Sequence, residues 1–453
     1  MDTSRPDHLL SLLRQGPTTA AVLGQRMGIS QPTVSRLLAT LGTRIIRIGR
    51  ARATRYALAR DIGHAGSRWP LYRLDAEGRA HRLGELRALH GGGFHLQAEQ
   101  ASPALLHPPF EQGLFPDLPW FLDDLRPQGF LGRAFARRVA QAMPVPADPR
   151  LWQAGDVILA LLHYGDDLPG DLLLGEAALE RARVGDHAHA IAPDARPQQY
   201  PALADAVLRG EAAGSSAAGE QPKFAVDLLE GGQHRAVIVK FSPVGTHPAA
   251  VRWADLLCCE HLAGDVLRAH GLSAADSRLL DAGGRRFLES TRFDRTPAGR
   301  IGFVSLAALD AAFHGHGHIE WWRYATQLQA EGWLAPADAR QLRVLGWFGA
   351  LIANHDMHLG NVGLHLGDTL PLRLAPAYDM LPMQFRPTVA GEVIERAYDA
   401  PLPLPEQAAD WHAAAELATA FWTRVARDDR ISDDFRRLAE SARTALENRR
   451  HSA

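Results

Sequence analysis

Ala353-Asn354-His355-Asp356-Met357-His358-Leu359-Gly360-Asn361 is the densest polar stretch of the chain. It follows an apolar run, Leu345–Ile352, that reads as a buried helix anchoring a loop. Asn361 stands five positions after Asp356. That spacing suits an aspartate that orients and deprotonates an acceptor hydroxyl and an asparagine that binds Mg²⁺. Asn361–Leu366 and Pro371–Leu374 flank Gly367-Asp368 and read as a hairpin. Ala377-Tyr378-Asp379-Met380 then places a carboxylate 18 residues beyond Asn361, where a second metal ligand is needed.

The cation that such chemistry needs is easy to find. Of 49 basic residues, 47 are arginines and only Lys223 and Lys240 are lysines. A lysine ammonium is a compact charge with three rotatable donors, unlike the planar guanidinium fork. Transfer of the γ-phosphoryl group of ATP requires oxygen donors for Mg²⁺, a cation for the α/β oxygens and a base for the acceptor. Asn361 and Asp379 supply the first, Lys240 the second and Asp356 the third. Singly, each acid or amide reads as a turn former or hairpin cap; the four in this order and context read as a site for ATP and Mg²⁺.

The 453 residues exceed one ordinary core, and 46% hydrophobic with 22% charged content describes a globular protein. Cys258 and Cys259 are neighbours on an apolar stretch and read as packed thiols in a reducing cytosol. The longest apolar runs, Val157–Leu162 and Trp347–Ala353, fall far short of a membrane span, and Met1–Arg14 lacks a signal-peptide hydrophobic region. A cytoplasmic protein without membrane contact is expected. Charge is uneven. Residues 1–60 hold ten arginines against Asp2 and Asp7, a net +8, so the remainder must carry −10 to reach the total of −2. That is the pattern of a nucleic-acid-binding head on an acidic body.

The head, residues 1–60, reads as a winged helix-turn-helix that binds DNA. Asp7–Gln15 forms a first helix, stopped by Gly16-Pro17. Thr18 or Thr19 caps a second through Met27 with Ala21, Val22 and Leu23 inward, and Ser30 caps a third, Gln31–Leu41. Gln31, Thr33, Ser35 and Arg36 lie at the start or outer side of that third helix, where base edges are met. Strands Arg44–Ile48 and Ala53–Leu58 enclose a tip carrying Arg50 and Arg52, suited to phosphate or a minor groove.

Residues 61–115 carry short alternating runs and suggest a small β-rich region; Gly185–Pro201 reads as an exposed polar connection. A small-residue loop, Gly214–Gly219, precedes strands Lys223–Leu229 and Ala236–Phe241, a long helix Ala249–His270 and strands Ser277–Leu280 and Arg286–Arg292. Beyond Asp294 helices dominate: Leu306–Phe313, Glu320–Glu331, Pro336–Asn354, Gln407–Arg427 and Asp433–Arg449. A β-rich lobe followed by a helical one is two-lobed kinase architecture, and Ala236-Val237-Ile238-Val239-Lys240 resembles the kinase strand that presents lysine to ATP.

Residues 67 to about 450 resemble the HipA family of bacterial serine/threonine kinases, the toxins of type II toxin–antitoxin systems. Asp356-Met-His-Leu-Gly-Asn361 resembles the family's D-x-H-x-x-N loop, and Ala375-Pro376-Ala377-Tyr378-Asp379 its T-P-x-Y-D metal motif. Gly219-Glu220-Gln221-Pro222-Lys223 is similar to its G-x-Q-x-K segment, Phe293-Asp294-Arg295 to its E-R-F-D-R hinge, and Leu118–Asp123 to L-P-x-F-F-x-N. A fused helix-turn-helix resembles the YjjJ-like subgroup, since the founding toxins take DNA binding from a separate antitoxin.

The resemblance implies an α+β fold: a winged head (1–60), a HipA N-terminal subdomain (67–205), a β-rich kinase lobe (206–294) and an all-helical lobe (295–453). It implies Asp356 as base with His358 orienting it, Asn361 and Asp379 as metal ligands, and Lys240 as phosphate contact. Gly219, Gln221 and Lys223 would belong to the phosphate loop, and Thr291, Phe293 and Tyr378 to the nucleotide site. It further implies autophosphorylation at Ser216, with Ser215 as the neighbouring possibility; a phosphate there adds nearly two negative charges beside ATP and silences the enzyme. Thr291 stands where the family has glutamate, and the carboxylate partner of Lys240 is open between Asp255 and Glu260.

A protein substrate follows from the resemblance, such as a translation factor of the aminoacyl-tRNA synthetase kind, as does a HipB-like antitoxin. The alternative reading is a transcriptional regulator whose kinase-like body binds nucleotide or a partner without phosphotransfer. His314-Gly-His316-Gly-His318 could ligate a metal, but lacks a spaced acid or cysteine and reads as solvated surface.

Overall fold

The computed structural model describes residues 4–185, 190–210 and 221–451. Ser215, Ser216 and Gly219 therefore lie outside the described residues.

Helices α1 (Ser4–Leu13), α2 (Ala20–Met27) and α3 (Gln31–Thr40) pack Leu9, Leu13, Leu23, Val34 and Leu38 together. Strands β1 (Thr18–Thr19), β2 (Ile45–Ile48) and β3 (Arg55–Leu58) make an antiparallel sheet in the order β1-β3-β2. The Thr19 hydroxyl accepts from the Val22 N–H, so α2 begins at Ala20. That phase turns Ala20, Leu23 and Gly24 inward and leaves Ala21 and Val22 exposed, contrary to expectation. Ile46, Ile48 and Ala57 do not face water. They pack on Leu89 and Leu114 of the next segment, and the His90 N–H donates to the Leu58 carbonyl.

That segment is a five-stranded sheet of β4 (Arg68–Leu74), β5 (Ala80–Ala88), β6 (Phe94–Ala98), β7 (Leu114–Phe115) and β8 (Leu172–Leu174), ordered β7-β6-β5-β4-β8. Helices α4 (Gly129–Ala142), α5 (Ala154–Tyr164) and α6 (Glu176–Val184) cover it. Residues 196–201, read as exposed connection, instead open α7 (Arg196–Leu208). Pro197 and Pro201 hide its periodicity, yet Pro197 stands in the first turn, where a missing N–H costs nothing. Tyr200 is fully buried and donates to Glu289 at 2.8 Å.

An antiparallel sheet follows: β9 (Lys223–Glu230), β10 (Gln233–Phe241), β11 (Ser277–Ala282) and β12 (Arg285–Thr291), ordered β11-β12-β10-β9, with α8 (Pro248–Ala269) connecting β10 to β11. The C-terminal part is not all helical. Strands β13 (Val304–Ser305), β14 (Gly363–His365) and β15 (Arg373–Leu374) form a small sheet among α9 (Leu306–Phe313), α10 (Trp321–Ala330), α11 (Pro336–Leu351), α12 (Ala408–Arg427) and α13 (Asp433–Arg450). The indoles of Trp322 and Trp347 stack at 4.0 Å and bind α10 to α11. Among the described residues no helix is long and apolar enough to cross a membrane.

Candidate active site

Strand register delivers the first group. In β10, Lys240 pairs with Lys223 on one side and Leu288 on the other, and its side chain is buried. Its ammonium donates to Glu260 of α8 at 2.6 and 2.8 Å and to the Asp379 carboxylate. Glu260 is thus the partner left open by the sequence. Asp255 instead accepts from the Ser432 N–H and hydroxyl at 2.8 and 2.6 Å, tying α8 to α13.

The loop after α11 is held by its own amides. Asn354 accepts from the Asp356 N–H at 3.1 Å and donates to the Asp379 carbonyl at 3.2 Å. Asn361 donates to the Asp356 carbonyl at 2.8 Å, which leaves its amide oxygen for another use. Ala353 and Asp379 have φ of 60° and 56°, left-handed values uncommon outside glycine and concentrated at functional sites. The Tyr378 hydroxyl donates to the Gly360 carbonyl at 2.9 Å, joining the two polar motifs. Burial pushes that phenol above its ordinary range, so it stays a neutral donor. His358 has another job than the one expected. Its Nδ1 accepts from the Gly360 N–H at 3.1 Å and caps the 359–361 turn, with no bond to Asp356 among the described residues.

These groups border one cavity of about 550 Å³. Lys240, Glu260, Thr291, Phe293, Asn361 and Asp379 line it, together with Lys223, His358 and Tyr378. Asp356 is half-buried beside that lining and joined to it through Asn361. The rings of Phe293 and Tyr378 lie 5.7 Å apart, and the Thr291 hydroxyl accepts from Arg235 at 2.8 Å. Gln221 has a buried amide nitrogen with no partner among the described residues. The donor set, one amide oxygen and one carboxylate beside a lysine, is hard-oxygen chemistry that fits Mg²⁺ and a polyphosphate.

Two wall residues went unread in the sequence. Asp124 accepts from the Ser305 N–H at 2.5 Å and its hydroxyl at 2.6 Å, fixing the start of α9; burial pushes its carboxyl up to about 6. Asp310 accepts from the N–H groups of His316 and Gly317 at 3.1 and 2.8 Å. His314 is wedged between Tyr324 and Glu331, both at 2.7 Å, so the histidine loop is an ordered wall. No metal-ligating cluster of histidine, cysteine and acids occurs among the described residues. Such carboxylates serve main-chain groups and leave no sequence pattern.

In the head, Gln31, Ser35, Arg36 and Arg50 are exposed, whereas Thr33 is half-buried and its hydroxyl is engaged by Ser30 and Arg36. Arg52 belongs to the 51–53 turn.

Residues 65–183 match the family described as YjjJ-like toxin, middle domain, and residues 215–447 match the HipA-like C-terminal domain. The chain is 39% identical over 434 residues to Toxin YjjJ of Escherichia coli (strain K12), covering 95% of each. It belongs to the HipA-like family of YjjJ-like toxins. The fold of this HipA-like chain is shared with a chain from the Shewanella oneidensis MR-1 complex of HipA, HipB and operator DNA, at a TM-score of 0.50 and 15% identity. That likeness covers 84% of this chain and 97% of the other.

Proposed function

We propose that this HipA-like chain is an ATP- and Mg²⁺-dependent serine/threonine protein kinase acting as a toxin. The observation that carries the reading is Lys240, held between Glu260 and Asp379 at the cavity that Asn361 also lines. ATP would bring the phosphoryl group, and Mg²⁺ would neutralise charge on its oxygens. Asn361 and Asp379 would hold the cation, and Lys240 the phosphate oxygens. Thr291, Phe293 and Tyr378 would wall the adenine side. Asp356 takes the proton of the acceptor hydroxyl, its position set by Asn354 and Asn361. The Gly219, Gln221 and Lys223 segment would cover the phosphates when ATP is bound, and Ser216 or Ser215 would receive one in self-silencing.

Residues 1–60 act as a winged helix-turn-helix that presents α3 to DNA, with 67–205, 206–294 and 295–453 as the remaining units. The Shewanella structure contains a HipB antitoxin and operator DNA. That supports DNA as a partner and leaves room for an antitoxin, in the cytoplasm, with a translation factor as substrate. Incubation of the full chain with Mg²⁺ and γ-labelled ATP tests this. Self-labelling that Asp356→Gln removes is the expected result; nucleotide binding without transfer by the unmodified chain would make the body a sensor instead.

A further inference from the structure

A second cavity, about 1030 Å³, adjoins the first along β10 and the hinge, and Arg292 lines both. Six guanidiniums border it, from Arg138, Arg181, Arg183, Arg292, Arg295 and Arg300. Among the described residues Asp166, Asp167 and Asp227 are the acids, with His163 and His234 beside them.

The inner part of this group does not balance. Arg292 bonds Asp167 at 2.7 Å and Asp294 at 2.9 Å. Arg295 bonds the same two carboxylates, at 3.2 and 2.7 Å. Among the described residues three guanidiniums thus share two carboxylates, and Arg300 is the one left over. It is only 7% exposed; its Nη2 donates to the Asp166 carbonyl, and its Nη1 has no acceptor among the described residues. Burial, and then the charge of Arg295, push the Arg300 guanidinium down to about 9. An uncompensated buried charge is strongly destabilising, and an arriving anion removes that cost. Arg181 and Arg183 are exposed at the mouth; Arg181 is paired with Asp166 at 2.9 Å, so the guanidinium of Arg183 extends the positive charge outward.

We propose that this cavity binds a phosphorylated small molecule of nucleotide size, with Arg300 at its floor and Arg181 and Arg183 at its mouth. Guanidinium forks match phosphate oxygens in pairs, and an extended polyanion reaches from the exposed rim to the buried floor. The space is large enough for a nucleotide-sized ligand. Its walls differ from those of the kinase-like cleft in lacking Asn361, Asp379 and Lys240, so the ligand there is bound and not processed.

The test is calorimetric titration of the full chain with tripolyphosphate in the absence of Mg²⁺. The Arg181→Ala/Arg183→Ala pair alters only exposed side chains and is expected to weaken binding at least about tenfold; Arg300→Met is expected to abolish it. Should Arg300→Met fail to fold, the rim pair still decides. Unchanged affinity in the rim pair, or no heat with millimolar tripolyphosphate, overturns the proposal. So does binding that Lys240→Met removes while the rim pair keeps it, since that assigns the anion to the first cleft.

Discussion

Lys240 shows how much one side chain can carry when its chemical type is rare. With 47 arginines available for surface charge, a lysine ending an apolar strand stands out in the sequence, and the structure buries it against two carboxylates. Its two carboxylate partners come from sequence distances of 20 and 139 residues, which no local pattern reveals. Lys240→Met leaves Glu260 and Asp379 facing each other without a cation. We expect a loss of about 3 kcal/mol in stability, read by chemical denaturation, together with loss of nucleotide binding. Asp124 gives a second prediction, in pH. Its folded pKa of about 6 lies above the ordinary carboxyl value, so the folded chain holds this proton more tightly than the unfolded one. Its contribution therefore favours folding at acid pH and is lost as pH rises through about 6. Asp124→Asn should flatten the fall in melting temperature between pH 4 and 6.5 relative to the unmodified chain. An identical slope in both proteins would refute the assignment.

At the level of elements, the polar loop depends on the helix before it. Gly349 of α11 packs so close to Met357 that an added Cβ would lie 2.3 Å from the sulfur. Gly349→Ala should displace the flexible thioether of Met357, the side chain next to Asp356. We expect a stability change within about 1 kcal/mol and a fall in phosphoryl transfer larger than any change in nucleotide affinity. Equal loss of both would place the effect in the whole cleft. The long helices and the β9–β10 hairpin were legible because their apolar periods and the Gly231-Gly232 turn are strong local signals. Helix α7 was hidden by two prolines, and the β13-β14-β15 sheet made the expected all-helical lobe wrong. The β14–β15 hairpin was legible around Gly367-Asp368, but β13, of two residues, is too short for an alternation to register, and its pairing with β14 is set by tertiary contact.

Over the whole molecule, the basic head is not a loose appendage. The face of its β2–β3 sheet that holds Ile46, Ile48 and Ala57 is buried on Leu89 and Leu114, so α3 keeps a fixed orientation to the body. The outer face of α3, with Gln31, Ser35 and Arg36, and the Arg50 corner remain exposed. Arg36→Ala/Arg50→Ala should lower DNA affinity at low salt and reduce the steepness of its salt dependence by about 1.8, at roughly 0.9 for each phosphate no longer neutralised. An unchanged salt slope would exclude these arginines from the interface. The head's charge excess could be counted in the sequence, but its docking could not, because nothing in the short alternating runs of residues 61–115 sets Leu89 and Leu114 apart from their apolar neighbours. The central claim concerns the cleft, and phosphoryl transfer tests it most directly. With Mg²⁺ and γ-labelled ATP, the full chain should acquire label on serine, and Asp356→Gln should cut the rate by about 10²–10⁴-fold while still binding nucleotide. Label incorporated equally by both proteins, or by neither, would contradict the account.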